Sequence, residues 1–252
     1  MLDLSLEMML LLAAAAFAAG FIDAIAGGGG LVTVPVLLIA GLPPVEALGT
    51  NKLQGLFGSG SATLAYARKG HVRPGEQWLS ALLAFAGAVG GAWVATVLPG
   101  DFLRLLLPVM LVGIALYFAF KRNLNDEDRA RRISPALFTA TVPLVIGAYD
   151  GVFGPGTGSF MMLAFVSLAG YGMLKATAHT KLLNFASNLG GLAAFAVVGA
   201  VWWKLGLAMG AAQFLGAQLG ARFAVRGGAR VIRPLLVGVC VLLAIKLLVD
   251  QL

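Results

Sequence analysis

Apolar runs of about 15 to 23 residues recur along the chain, separated by short polar or glycine-rich stretches. In the first 120 residues they fall at about 8 to 26, 31 to 42, 50 to 67, 76 to 98 and 103 to 120, and five comparable runs follow. Roughly 20 helical residues cross a bilayer core, so several of these runs predict spanning helices. The second run is too short to span comfortably. It reads as a half-helix or as one arm of a re-entrant hairpin with the first, since non-helical backbone at membrane depth needs protein or water to satisfy it.

The pattern is written twice. Gly20, Asp23, Gly27 and Gly29 recur 127 positions later as Gly147, Asp150, Gly154 and Gly156. At an offset of 129, Ala47, Lys52, Leu53, Gly70, Val72, Gly87, Gly91 and Arg104 match Ala176, Lys181, Leu182, Gly199, Val201, Gly216, Gly220 and Arg233. The chain thus divides into a first membrane repeat (1–120), a hydrophilic linker (121–134, containing KRNLNDEDRARR) and a second repeat (135–252). The fold class is an all-α polytopic membrane protein of two repeats of five segments, with broken or re-entrant helices at the glycine runs.

Composition and charge sharpen this. Sixty per cent of the 252 residues are hydrophobic, 12% are charged and the mean hydropathy is +0.92, which excludes a single soluble domain. The first run has Asp3 and Glu7 before it and no basic flank, so it reads as a mature helix and not as a cleaved signal peptide. The net charge of +7 lies in short loops, where it sets membrane orientation, and does not point to nucleic acid. Arg68, Lys69 and Arg73 in the first half, and Lys121, Arg122, Arg129, Arg131 and Arg132 in the linker, predict two cytoplasmic loops. In the second half the basic cluster moves to another loop, Arg222, Arg226, Arg230 and Arg233, leaving Lys204 where the first half has its cluster. Repeats of inverted topology follow, with both termini outside, although Arg104 runs against the rule. The lone Cys240 excludes an internal disulfide or a cysteine metal cluster.

Charges retained inside a membrane are costly and are usually paired or face an aqueous path. The candidates are Asp23 and Asp150, and Lys52 and Lys181. A helix restarting after GGGG (27–30) or GPGTGS (154–159) directs its free N–H groups and positive dipole end into the gap, which suits an anion. Gly28, Gly29, Gly30, Gly156, Thr157, Gly158 and Ser159 are therefore candidate substrate contacts. Gly87, Gly90, Gly91, Gly216 and Gly220 read instead as packing glycines. No Lys-Ser/Thr pair follows either glycine run, so a nucleotide loop is disfavoured. Lys52 and Lys181 sit near segment starts, where lysines often snorkel to the interface. Their polar company, including Asn51, Thr180, Asn184 and Asn188, favours site lining, because 181, 184 and 188 share a helical face. Asp23 and Asp150 pair with lysines, cap the restarted helices or carry protons between two states. His179 reads as a packing residue, and no metal spacing or cofactor motif appears. Neither a nucleophile–base pair nor a metal triad marks an enzyme.

At these residues the sequence resembles the TauE/SafE family of sulfite and organosulfonate exporters or permeases. The likeness is carried by GFIDAIAGGGGLVTVPVLLIAGLPPVEALGTNKLQGLFGS (20–59), and by GAYDGVFGPGTGSFMMLAF (147–165) with ATAHTKLLNFASNL (176–189). The resemblance implies a carrier of sulfur-containing anions such as sulfite, thiosulfate or organosulfonates in the bacterial inner membrane. The combined expectation is a secondary transporter with a small anionic substrate and the lipid bilayer as its partners. Proton coupling at Asp23 or Asp150 is part of it, while an anion channel or a carboxylate carrier, and a monomer or a homodimer, all stay open.

Overall fold

The computed structural model describes residues 6–97, 116, 120 and 125–249, and every described element is helical. The helices are α1 (Leu6–Ala26), α2 (Gly30–Ile39), α3 (Pro44–Arg68), α4 (Trp78–Ala95), α5 (Pro135–Val152), α6 (Thr157–Ser167), α7 (Met173–Val197), α8 (Trp203–Gly227) and α9 (Ala229–Val249). A 3-10 turn, Pro74–Gln77, leads into α4. The expected fifth run of the first half lies outside the described residues except for Leu116 and Phe120, as do Asp3, Arg104, Lys121, Arg122 and Asp250. Among the described residues, three helices are long and apolar enough to cross a membrane by length and composition: α1, α4 with its leading turn, and α5. The 25-residue α3, α7 and α8 are as long but carry the polar stripes that lower their hydropathy.

The short second segments are hairpin arms. At 10 and 11 residues, α2 and α6 reach only about 15 Å, half a bilayer core. Each doubles back along the helix before it. Leu37 and Ala40 pack with Leu12 and Ala16 of α1. In the second hairpin the Phe138 and Phe165 rings lie 4.9 Å apart, and Tyr149 meets Phe160 edge-on at 5.1 Å. The turns use left-handed glycines, Gly27 and Gly28 in one hairpin and Gly154 and Gly156 in the other, each with φ between 81° and 90°. The two tips meet: the Ser159 hydroxyl donates to the Ala26 carbonyl at 3.1 Å.

Packing is exchanged between the halves. Helix α1 lies against α8, and α5 lies against α4, while α3 and α7 cross in the centre. Glycines let these backbones approach. A Cβ on Gly91 would collide with the Ala148 carbonyl oxygen, one on Gly151 with that of Ala88, and one on Gly216 with that of Phe17. The packing reading therefore holds for Gly87, Gly91, Gly216 and Gly220, whose added Cβ atoms would all meet a neighbouring helix backbone. It fails for Gly90, which has nothing within 4 Å.

One end of the bundle gathers the basic loops. Arg68, Lys69, Arg222 and Arg226 border a common cavity of about 400 Å³. The linker docks at the same end, because its acidic residues cap helices. Asp126 accepts from the Leu174 N–H at 3.0 Å and from the Ala229 N–H at 3.0 and 3.1 Å, and Asp128 accepts from the Gly172 N–H at 3.0 Å. Free N–H groups at a helix start favour such carboxylates. Partial burial pushes the Asp128 carboxyl up, but the Lys175 ammonium and the Gly172 N–H outweigh it and hold the carboxyl below its ordinary value. A depressed folded-state value contributes stability above the unfolded value and loses it as pH falls through the folded one. Linker docking should therefore loosen on acidification below about pH 4, read as faster pH-corrected hydrogen exchange of the 170–174 amides. Asp128→Asn should exchange faster at neutral pH and respond less to acid.

Candidate functional site

The hairpin tips and the crossing of α3 with α7 bring both aspartates and both lysines to the middle of the protein. The pairing crosses the halves: Lys52 Nζ lies 2.8 Å from Asp150 Oδ1, and Lys181 Nζ lies 3.0 Å from Asp23 Oδ2. All four residues are at least 94% buried. Isolated charges at such a place cost several kcal/mol each, so the two pairs hold the region electrically neutral. Glycine makes room for the ammonium groups. A Cβ on Gly154 would lie 2.9 Å from Lys52 Nζ, and one on Gly158 would lie 3.3 Å from Lys181 Nζ.

Between the tips is a polar cavity of about 30 Å³. Asp23, Gly28, Gly29, Gly30, Asn51, Asp150, Thr157, Gly158, Asn184 and Asn188 line it, and Gly55, Gly154 and Gln213 complete it. Of the residues singled out in the sequence, Lys52, Lys181, Gly156, Ser159 and Thr180 do not line it. The lysines stand behind the carboxylates. Gly156 is the left-handed N-cap of α6 and Ser159 ties the tips together, whereas the buried Thr180 hydroxyl has no protein partner. His179 lies elsewhere, beside Gln77 and the rings of Phe165 and Tyr171.

The cavity offers hydrogen-bond donors. The N-cap residues Gly29 and Gly156 supply no side-chain cap, and the N–H groups of Leu31, Val32, Thr33, Thr157, Ser159 and Phe160 turn back to the Gly28, Gly29, Gly154 and Gly156 carbonyls, so it is the positive dipole ends of α2 and α6 that face the gap. Asn51 Oδ1 is taken up by the Thr33 hydroxyl (2.6 Å) and the Gln54 amide (3.0 Å), which leaves the Asn51 NH2 available. Likewise the Asn188 amide donates to the Asn184 carbonyl (2.7 Å) and to Asn184 Oδ1 (3.1 Å), freeing the Asn184 NH2. Amide groups whose acceptor ends are occupied behave as oriented donors. The signal for Gln213 was in the sequence, a polar residue alone in the apolar run LAMGAAQFLGA (207–217), while Gly55 had no chemical signature of its own.

The family model described as sulfite exporter TauE/SafE matches residues 12–247, a span that includes both hairpin turns and the whole cavity lining. The chain belongs to the TauE/SafE family. Among its TauE/SafE relatives, the "Probable membrane transporter protein ORF9" of Sinorhizobium sp is 60% identical over 99% of this chain and 96% of its own length. YfcA of Escherichia coli K12, a "Probable membrane transporter protein", is 46% identical over 94% of this chain and 88% of its own. A similarly described protein of Haemophilus influenzae is 43% identical over 99% and 98%. No solved structure matches. With its apolar helices, the TauE/SafE chain is a membrane protein.

Proposed function

We propose that this TauE/SafE member is a secondary transporter that carries a small sulfur-containing anion, such as sulfite, thiosulfate or an organosulfonate, through the cavity between its hairpin tips. One observation carries the reading: the positive dipole ends of two half-helices and two oriented asparagine amides converge on one buried, charge-neutralised cavity. Such ends favour anions without requiring a bare cation. The sulfur chemistry comes from the family's description, and the transporter class agrees with the names of the relatives.

Inverted repeats are part of the proposal. Helix α1 starts beside Leu37, Ala40 and Leu42, at the end of the bundle where Trp202 N–H donates to the Thr50 hydroxyl at 3.0 Å. Helix α5 starts at the opposite end, directly after the linker. Two hairpins entering from opposite ends and meeting at their tips are what an in-plane pseudo-twofold axis produces. With the basic end on the cytoplasmic side of a bacterial inner membrane, both termini lie outside. Alternating access then proceeds by rocking of the halves about the tips.

The test is binding followed by flux. Thiosulfate, sulfite, sulfoacetate, taurine and acetate are added to purified protein and read as thermal stabilisation, then as uptake into proteoliposomes. A ligand at 100 times its Kd adds about 2.7 kcal/mol to the folded state. Stabilisation and flux by at least one sulfur anion is the expected result, and a response to acetate alone would overturn the sulfur assignment.

A further inference from the structure

The two halves are not equivalent at their aspartates, although the sequence writes them alike. Both carboxylate oxygens of Asp23 are engaged, Oδ1 by the Gly29 N–H at 3.1 Å and Oδ2 by Lys181 at 3.0 Å. Asp150 concentrates its partners on one oxygen. Oδ1 takes Lys52 at 2.8 Å and the Thr157 hydroxyl at 2.8 Å, while Oδ2 is buried without a protein partner. Asp150 is 2% exposed and lines the cavity, and Gln213, 3% exposed and also lining it, has an unpartnered acceptor as well, Oε1. No counterpart of Gln213 exists in the first half, where the position 129 residues earlier is Ala84.

Orphan acceptors in a cavity built to hold an anion are a contradiction unless a hydrogen is supplied. A buried acceptor left unsatisfied costs about 1 to 3 kcal/mol, and an anion beside it makes matters worse. We propose that Asp150 Oδ2, and not Asp23, is the point at which a proton loads together with the anion; this rests on the transporter reading above. The electrostatics give the coupling. With both pairs intact the centre is neutral. One proton on Asp150 cancels its charge and leaves Lys52, still hydrogen-bonded to the Asp150 carbonyl, as one net positive charge beside the α6 N-terminus. A monovalent organosulfonate then restores neutrality and travels with the proton as an electroneutral pair, whereas a divalent anion such as thiosulfate carries one negative charge more than the proton cancels.

The protonated Oδ2 becomes a donor in a cavity large enough for a water, which Gln213 also lines with an acceptor, Oε1. Among the described residues, the titratable groups around this carboxyl come from several elements. Lys52 comes from α3, Lys181 from α7 and Asp23 from α1 across the cavity, Tyr149 adjoins it on α5, and neither α4 nor α6 carries a charged residue. By linkage, proton and anion raise each other's affinity equally.

Two measurements on the full chain test this. Thiosulfate does not titrate between pH 5 and 8, so its binding isolates the protein's proton. Affinity should rise as pH falls, by up to about tenfold for each pH unit, the limit for one proton per anion. Asp150→Asn should abolish that slope, and Asp23→Asn should keep it. The second measurement does not depend on the substrate: infrared pH titration should show a buried carboxylic-acid band that is lost in Asp150→Asn and retained in Asp23→Asn. If Asp150→Asn proves unstable, the neutral pair Lys52→Met/Asp150→Asn replaces it. A slope or band that survives removal of Asp150, or that disappears with Asp23, overturns the proposal even where anion binding stands. Absence of anion binding with the Asp150 band present counts against the transport reading, and a wild type without such a band counts against proton loading itself.

Discussion

Lys52→Met is expected to destabilise the protein by about 3 to 5 kcal/mol, because it leaves the Asp150 carboxylate buried and uncompensated. The methionine is close to the lysine stem in volume, so little of the loss comes from a cavity. Adding Asp150→Asn should return most of it, since neutralising both members of a buried pair is often near neutral. The four-protein cycle, read as thermal unfolding in detergent, should therefore give a coupling energy of at least about 2 kcal/mol between residues 98 positions apart. The parallel cycle of Lys181→Met with Asp23→Asn should behave the same way. If the single lysine variants unfold no earlier than the wild type, the pairs are not buried in the functional protein. Transport separates stability from mechanism. The neutral double variant at residues 52 and 150 should be folded and yet unable to couple flux to a proton gradient.

How much of this was legible beforehand differs from feature to feature, for physical reasons. Helices in membrane announce themselves by length and hydropathy, so α1, α4 and α5 were readable directly. The hairpin character of α2 and α6 was not. A 10-residue apolar helix and a glycine turn fit a half-helix or a returning arm equally, and only contacts such as Phe138 with Phe165 choose between them. The internal match between Asp23 and Asp150, and between Lys52 and Lys181, was visible as a spacing. That each lysine reaches the aspartate of the other half was invisible, because pairing across 98 and 158 positions is a tertiary fact. The same limit hid the position of the lysines behind the cavity wall. A charge beside a glycine break looks like a ligand for an anion until its own counterion is located. The linker was read from composition as a hydrophilic connection, but Asp126 and Asp128 use its charge to cap the starts of two helices, α7 and α9, and a cap is recognised only when both partners are known. Gly90 shows the converse error: it shares the spacing of the packing glycines yet faces nothing.

Gly27→Ala is expected to be strongly damaging, and three glycines separate the reasons. Gly90 is helical with open space around it, so Gly90→Ala should be neutral or stabilising by up to about 1 kcal/mol through backbone entropy alone. Gly70 has φ +76° but also nothing within 4 Å, so Gly70→Ala should cost about 1 to 2 kcal/mol, the penalty of the left-handed region for an L-residue. Gly27 combines φ +81° with an opposing backbone. Its Cβ would lie 2.5 Å from the Ser159 nitrogen and 2.6 Å from the Gly158 carbonyl carbon, neither of which belongs to a side chain that can swing away. The tips must separate to admit it, which breaks the Ser159–Ala26 hydrogen bond and widens the cavity that Asp23 and Asp150 share. Thermal unfolding in detergent should rank the variants Gly90→Ala, Gly70→Ala, Gly27→Ala from most to least stable. Flux should fall sharply only in the last, beyond what its stability loss predicts. A Gly27→Ala protein with wild-type flux would show that the tips part during function, and that their contact belongs to one state of the cycle alone.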